Sequence, residues 1–288
     1  MVYRITHVTE YLYAAPVSAS HNLAHLLPAS NGRQRCLDSD LELDPGPRAV
    51  RHFRDYFGNT ATYFELARPH QRMRLTVVSR VDVTADPPAL DTRPWQSVLE
   101  AFCAAQDERS LLAREFLLPS PFLPILAEAR AYAEPSFLPG MTLSDCLSHL
   151  MHRVHEDFRY QSGATSIATP LTEVFARREG VCQDFAHVMI ACLRSMGFAA
   201  CYLSGYLETR PPPGQPRLVG ADASHAWVGV YAPGTGWMEL DPTNDLVPGM
   251  RHVRLAKGRD YGDVAPLRGT LYGGGEHTLT VSVDVCPI

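Results

Sequence analysis

Three residue types in this chain, met in the order cysteine, histidine, aspartate, could together carry out nucleophilic chemistry on an acyl group. Cys182 stands in Arg178-Glu179-Gly180-Val181-Cys182-Gln183-Asp184-Phe185-Ala186-His187. His225 stands in Ser224-His225-Ala226-Trp227-Val228, and Asp241 closes Trp237-Met238-Glu239-Leu240-Asp241. Such chemistry needs a thiolate to attack, an imidazole to hold and deliver the proton, and a carboxylate to fix the imidazole's tautomer. A free cysteine is more often a buried, inert packing residue. The case therefore rests on the elements that must position these side chains.

For Cys182 that element is a helix. Phe185, Val188, Met189, Cys192, Leu193 and Met196 recur at helical spacing, and Gly197 stands where a C′ glycine would end the helix. Cys182 then falls at the N-terminus, where unpaired N–H groups and a partial positive charge favour a thiolate. Asp184, in the first turn, reads as a residue that stabilises the terminus rather than one that reacts. His187 is a rival base by composition. Five positions along the same helix, its side chain points away from Cys182.

For His225 and Asp241 the element is a hairpin with residues 232–236 as its turn. Folded about Pro233, it sets His225 directly opposite Asp241, with Cβ atoms about 4.5–5.5 Å apart. Alternation gives one aliphatic face of Ala226, Val228, Val230, Met238 and Leu240. The other face carries His225, Trp227, Gly229, Tyr231, Trp237, Glu239 and Asp241, with the two indoles as candidate shields against water. A one-residue bulge would flip one strand relative to the other and break this pairing, and a different register would make Glu239 the orienting acid.

Gly-Val-Cys-Gln-Asp-Phe-Ala-His (180–187), Ser-His-Ala-Trp-Val (224–228) and Leu-Asp-Pro-Thr-Asn (240–244) together resemble the three-part signature of the bacterial transglutaminase-like superfamily. Its fold is related to that of papain-like cysteine proteases. Thr6-His7-Val8-Thr9-Glu10-Tyr11 and Asp55-Tyr56-Phe57-Gly58-Asn59 are similar to the N-terminal domain of its cysteine protease branch. Residues 259–266 and 273–275 also resemble that branch, and Asp260 and Tyr261 are candidates to line the site. The resemblance implies Cys182 as nucleophile, His225 as base and Asp241 as orienting acid, with no metal or cofactor. The Cys182 N–H is the natural first oxyanion donor, and Tyr160 and Gln161 are candidates for the second.

Three functions compete on this reading: a cysteine hydrolase of amide or peptide bonds, a transglutaminase passing the acyl group to an amine, and a non-catalytic scaffold. Degenerate relatives lose triad positions, whereas this chain keeps all three. Relatives of the branch are often encoded beside ATP-grasp ligases. That implies small peptides or γ-glutamyl-type amides as substrates and a functional link to such a ligase.

The expected fold class is α+β. Residues 1–86 alternate in short strands broken by turn signals and suggest an N-terminal β-sandwich. Residues 87–140 read as a linker and helical lead-in, with helices at 95–105 and 126–133. Residues 141–288 form the papain-like core, a nucleophile helix packed on an antiparallel sheet. Within it, residues 143–158 read as a helix, Thr169 as an N-cap with Pro170 at N1, 211–216 as a proline-rich loop and 277–285 as a strand. Cys146, His149, His152 and His155 recur every three residues, but steps of three drift around a helix, so the set reads as a partly exposed face rather than a metal site. His21 and His25 read as ordinary histidines.

The 288 residues exceed a typical single domain, and 45% hydrophobic content is that of a globular protein. A net charge of −5 leaves no basic footprint for nucleic acid. Among 26 basic residues only Lys257 is a lysine, which makes the chain a poor amine donor for cross-linking itself. No segment reads as a signal peptide or membrane span. Seven cysteines without paired spacing suit a reducing compartment, so a soluble cytoplasmic protein is expected.

Overall fold

The computed structural model describes residues 1–84, 89–209 and 223–288. The proline-rich loop at 211–216 and the start of the linker, 85–88, lie outside the described residues. The first five strands are β1 (Val2–Ala24), β2 (Gln34–Asp44), β3 (Ala49–Arg54), β4 (Thr60–Leu66) and β5 (His70–Val83). Helices α1 (Trp95–Ala104), α2 (Glu108–Ala113), α3 (Ala127–Ala133) and α4 (Leu143–Asp157) follow. Next come β6 (Arg159–Tyr160), α5 (Leu171–Arg177), β7 (Glu179–Gly180) and α6 (Cys182–Ser195). The chain closes with β8 (Ala200–Leu207), β9 (Ala223–Ala232), β10 (Gly236–Leu240), β11 (His252–Gly258), α7 (Tyr261–Val264), β12 (Leu267–Gly273) and β13 (His277–Pro287). The expected α+β class is what is seen. The N-terminal β region takes the form of one curled antiparallel sheet.

That sheet is built on β1. Its first half pairs with β5 on one side and β13 on the other; its second half pairs with β4 and β12. Tyr3, Ile5, His7 and Thr9 are buried on odd positions, whereas Ser20, Asn22 and Ala24 are buried on even ones. Register shifts at Leu12/Val17 and Val17/Ala19 absorb the change of phase. β2 and β3 form the edges, in the order β2-β5-β1-β4-β3.

The second sheet runs β10-β9-β8-β11 and carries α6 against β8 and β9. Beyond the six apolar positions expected at helical spacing, Ala186, Ile190 and Ala191 are also buried. The helix is therefore wrapped by α3, α4 and α5 on its other sides. Met196 is the C-cap and Gly197, at φ 91°, ends the helix as expected. One continuous core joins Ile5, Val77 and Val285 of the first sheet to Phe185, Leu193 and Val228 around the helix. Helix α5 starts one residue later than expected, with Pro170 as N-cap. The Thr169 hydroxyl accepts instead from the Ser166 N–H at 2.9 Å, a local turn that competes with capping.

Candidate active site

Asp184 sets the start of α6. Its Oδ2 accepts the Val181 N–H at 2.8 Å and the Thr165 hydroxyl at 2.6 Å. Burial pushes the carboxyl up, against the pull of those two hydrogen bonds. Gly180 makes this possible, because a Cβ there would lie 2.6 Å from the Asp184 side chain. Asp184 is thus a terminus residue, as expected, and Cys182 is left half-buried at the first turn.

The hairpin register differs from the expected one. Gly236 pairs with Ala232 and Leu240 with Val228, so the turn is centred on Gly234 (φ 84°) rather than on Pro233. The slip is two residues. Because two is the side-chain period of a strand, both faces survive unchanged: Ala226, Val228, Val230, Met238 and Leu240 join the main core, and Trp227, Tyr231 and Trp237 a second cluster. His225 and Asp241 become diagonal rather than direct neighbours, and their side chains close the gap. His225 Nε2–H donates to Asp241 Oδ2 at 2.7 Å.

Asp241 is fully buried and richly served. Its Oδ1 accepts the backbone N–H groups of Thr243 and Asn244 at 3.1 and 3.2 Å, an Asx turn. Its Oδ2 accepts from His225, from Asn244 Nδ2 at 2.8 Å and from His252 Nε2–H at 3.0 Å. Burial would raise the carboxyl, but the hydrogen bonds from His225 and His252 hold it well below the usual carboxylate range. Burial would likewise lower His225; hydrogen bonds with Asp241 and Cys182, and their charges, outweigh it and raise the imidazole to about 9. Glu239 accepts from Trp227 Nε1 at 2.8 Å and lies 3.4 Å from Arg254, so on the same face it is held by these two rather than by His225.

Cys182 and His225 line a cavity of about 300 Å³, together with Gln183, Tyr202, Ser224 and Tyr261. Tyr160 is 56% exposed; burial of its hydroxyl and the nearness of Cys182 raise it. The Gln161 N–H is spent on the Gly180 carbonyl at 2.9 Å. His187 is buried, with Nε2 accepting the Tyr261 N–H at 3.2 Å, and burial lowers it to about 4. Asp260 caps α7 and accepts the Phe122 N–H rather than facing the cavity. The indoles are not shields. Trp227 is fully buried behind the imidazoles, 6.1 Å from the His225 ring and 5.3 Å from that of His252, and Trp237 packs on Phe116.

Residues 3–82 match the bacterial transglutaminase-like N-terminal region, and residues 130–242 match the transglutaminase-like superfamily. The chain belongs to the bacterial transglutaminase-like superfamily. An uncharacterized protein of Mycobacterium tuberculosis is 44% identical over 99% of this chain and 92% of its own length. A protein-glutamine γ-glutamyltransferase of Pseudomonas aeruginosa is 31% identical over 50% of this chain and 22% of its own length. The crystal structure of a candidate cysteine protease from Cytophaga hutchinsonii shares the fold, with a TM-score of 0.77 at 22% identity over 99% of this chain and 90% of that one.

Two members of this transglutaminase-like cluster escaped the sequence reading. Asn244 lies inside the quoted Leu-Asp-Pro-Thr-Asn phrase, where Asp241 followed by Pro242 signals an Asx turn that brings Asn244 back toward the carboxylate. His252 carried no signal, since β8 separates its strand from that of His225. All seven cysteines are free. Among the described residues no helix is long and apolar enough to cross a membrane.

Proposed function

We propose that this chain is a cysteine-dependent amide or peptide hydrolase that works through a thioester. Cys182 attacks the carbonyl carbon of the scissile amide. His225, its Nε2–H held by Asp241, passes a proton from Nδ1 to the leaving ammonia or amine. The same imidazole then draws a proton from water, which hydrolyses the thioester and frees Cys182. The first N–H groups of α6, unpaired by helix geometry, face the developing oxyanion. The observation that carries the reading is one cavity shared by Cys182 and His225, with Asp241 2.7 Å behind the imidazole. A cytoplasmic setting accords with seven free thiols.

Transfer of the acyl group to an amine is the second reading, favoured by the activity in the name of the Pseudomonas aeruginosa relative. Hydrolysis is preferred because neither indole of the hairpin lines the cavity to hold water away from an acyl-enzyme. Capped glutaminyl peptides with rising monoamine separate the two readings: free acid and ammonia should dominate over adduct. Adduct as the main product at millimolar amine would reverse the choice. Absence of any Cys182-dependent product or thioester across a peptide and amide library would leave the scaffold reading.

A further inference from the structure

The cavity beside Cys182 lies between the two sheets. Its near wall is α6 and β9, and its far wall belongs to the N-terminal sheet. There β1 contributes His7, Thr9 and Tyr11, every second residue and so one face, and β13 contributes Leu279 and Val281. The strands are in register, with Thr9 beside Val281 and Tyr11 beside Leu279. Leu279 and Val281 are 48% and 46% exposed, and Ile167, also at the cavity, is 54% exposed. Large apolar side chains left open around a cavity mark a binding surface rather than packing.

The wall is also uncharged. Among the described residues that line the cavity there is no lysine, arginine, aspartate or glutamate. His7 is buried, and burial lowers it to about 4, so it is neutral at pH 7. Its ring is bonded at both nitrogens, to the Tyr206 hydroxyl at 3.0 Å and to the Thr9 hydroxyl at 2.8 Å. That chain pins the Thr9 hydroxyl as a fixed polar point on an apolar wall. A carboxylate or ammonium held against β1 and β13, on the side away from His225, would lose its hydration and meet no opposite charge on that wall, whereas an aliphatic group would leave water and a neutral amide would keep a hydrogen bond.

We propose that the N-terminal sheet is the acyl-donor wall of this site: β1 and β13 receive the chain that carries the scissile amide, and select uncharged donors with apolar flanks over donors with a charge beside the amide. For its turnover assay the proposal rests on the cysteine reading above, and a binding assay separates the two.

Three capped, amidated glutaminyl peptides of equal length test it, flanked on both sides by leucine, glutamate or lysine. Ammonia release from the leucine peptide should show kcat/KM about tenfold or more above the other two. Leu279→Lys should raise the glutamate peptide relative to the leucine peptide by a similar factor. Leu112→Lys, on an exposed residue of α2 that does not line the cavity, should leave the order as it was. Equal kcat/KM for the three peptides, or an order that Leu279→Lys does not move, overturns the proposal. If no peptide releases ammonia, glutaminyl deamidation is excluded, and the wall is tested by calorimetric titration of the same peptides into full-length Cys182→Ala protein. Tighter binding of the leucine peptide, lost when Leu279→Lys is added, upholds the wall. No preference, or no binding at millimolar peptide, overturns it.

Discussion

Two groups of histidines meet the loop that carries Asp241, and the fold uses them in opposite ways. On α4, His149, His152 and His155 repeat every three residues, and each finds a different partner. These are the Ser136 hydroxyl at 3.0 Å, the Asp245 carboxylate at 2.7 Å and the Thr243 carbonyl at 3.0 Å. His225 and His252 come from strands that are not neighbours, yet both donate to one oxygen of Asp241. Periodicity along one helix spreads side chains around its surface, whereas convergence on one atom needs several elements. Of the α4 set, His152 and His155 support the loop from outside, while His149 bonds Ser136. The strand set gathers two imidazoles on one buried carboxylate, the charge relation on which the proposed chemistry rests.

If that contrast is right, mutations should grade by how directly they touch the converging set. Cys182→Ala and His225→Ala should each lower kcat/KM for an amide substrate by about a thousandfold or more, and rates within tenfold of the parent would remove the cluster from catalysis. Asp241→Asn should cost about 10²–10⁴ through a poorly held tautomer. Glu239→Gln, next along the same face, should stay near the parent rate, and the reverse pattern would hand the orienting role to Glu239.

pH sharpens the same comparison. Folding raises His225 from 6.5 to about 9, so its stabilisation is complete below 6.5 and lost as pH rises through 9. On the order of 3 kcal/mol should disappear from the denaturation free energy across that window, and the loss should be missing in His225→Gln. Asp241 runs the other way: its carboxylate is held low, so its contribution is present above the ordinary carboxylate range and lost as pH falls through its folded value. An identical alkaline loss in His225→Gln would place the titrating group elsewhere.

The smaller effects distinguish the two histidine groups. His252→Phe keeps a buried ring but removes one donor from Asp241, leaving more of its charge for His225. We expect about a tenfold fall in kcat and an alkaline limb of the rate profile displaced upward; a fall without displacement would make His252 a packing residue only. His155→Ala frees the Thr243 carbonyl without touching the charge relation, so about a twofold to fivefold fall with an unmoved limb is expected. A larger fall than for His252→Phe would reverse the ranking of the two sets.

What could be read from the residues was whatever repeats with a local period. The helix from Cys182 to its end at Gly197, the two faces of the hairpin, Asp184 at the helix start and His187 turned from Cys182 all follow from 3.6 and 2 residues per repeat. The register could not be read this way. It depends on whether the turn centres on Pro233 or on Gly234, and both choices leave the same faces. The tertiary structure alone decided which distant faces meet: His252 brought to Asp241 across β8, β13 laid along β1 to wall the cavity, and Trp227 drawn behind the imidazoles. The physical reason is that a side chain's direction is set by the backbone it sits on, whereas its neighbours are set by packing between segments far apart in the chain.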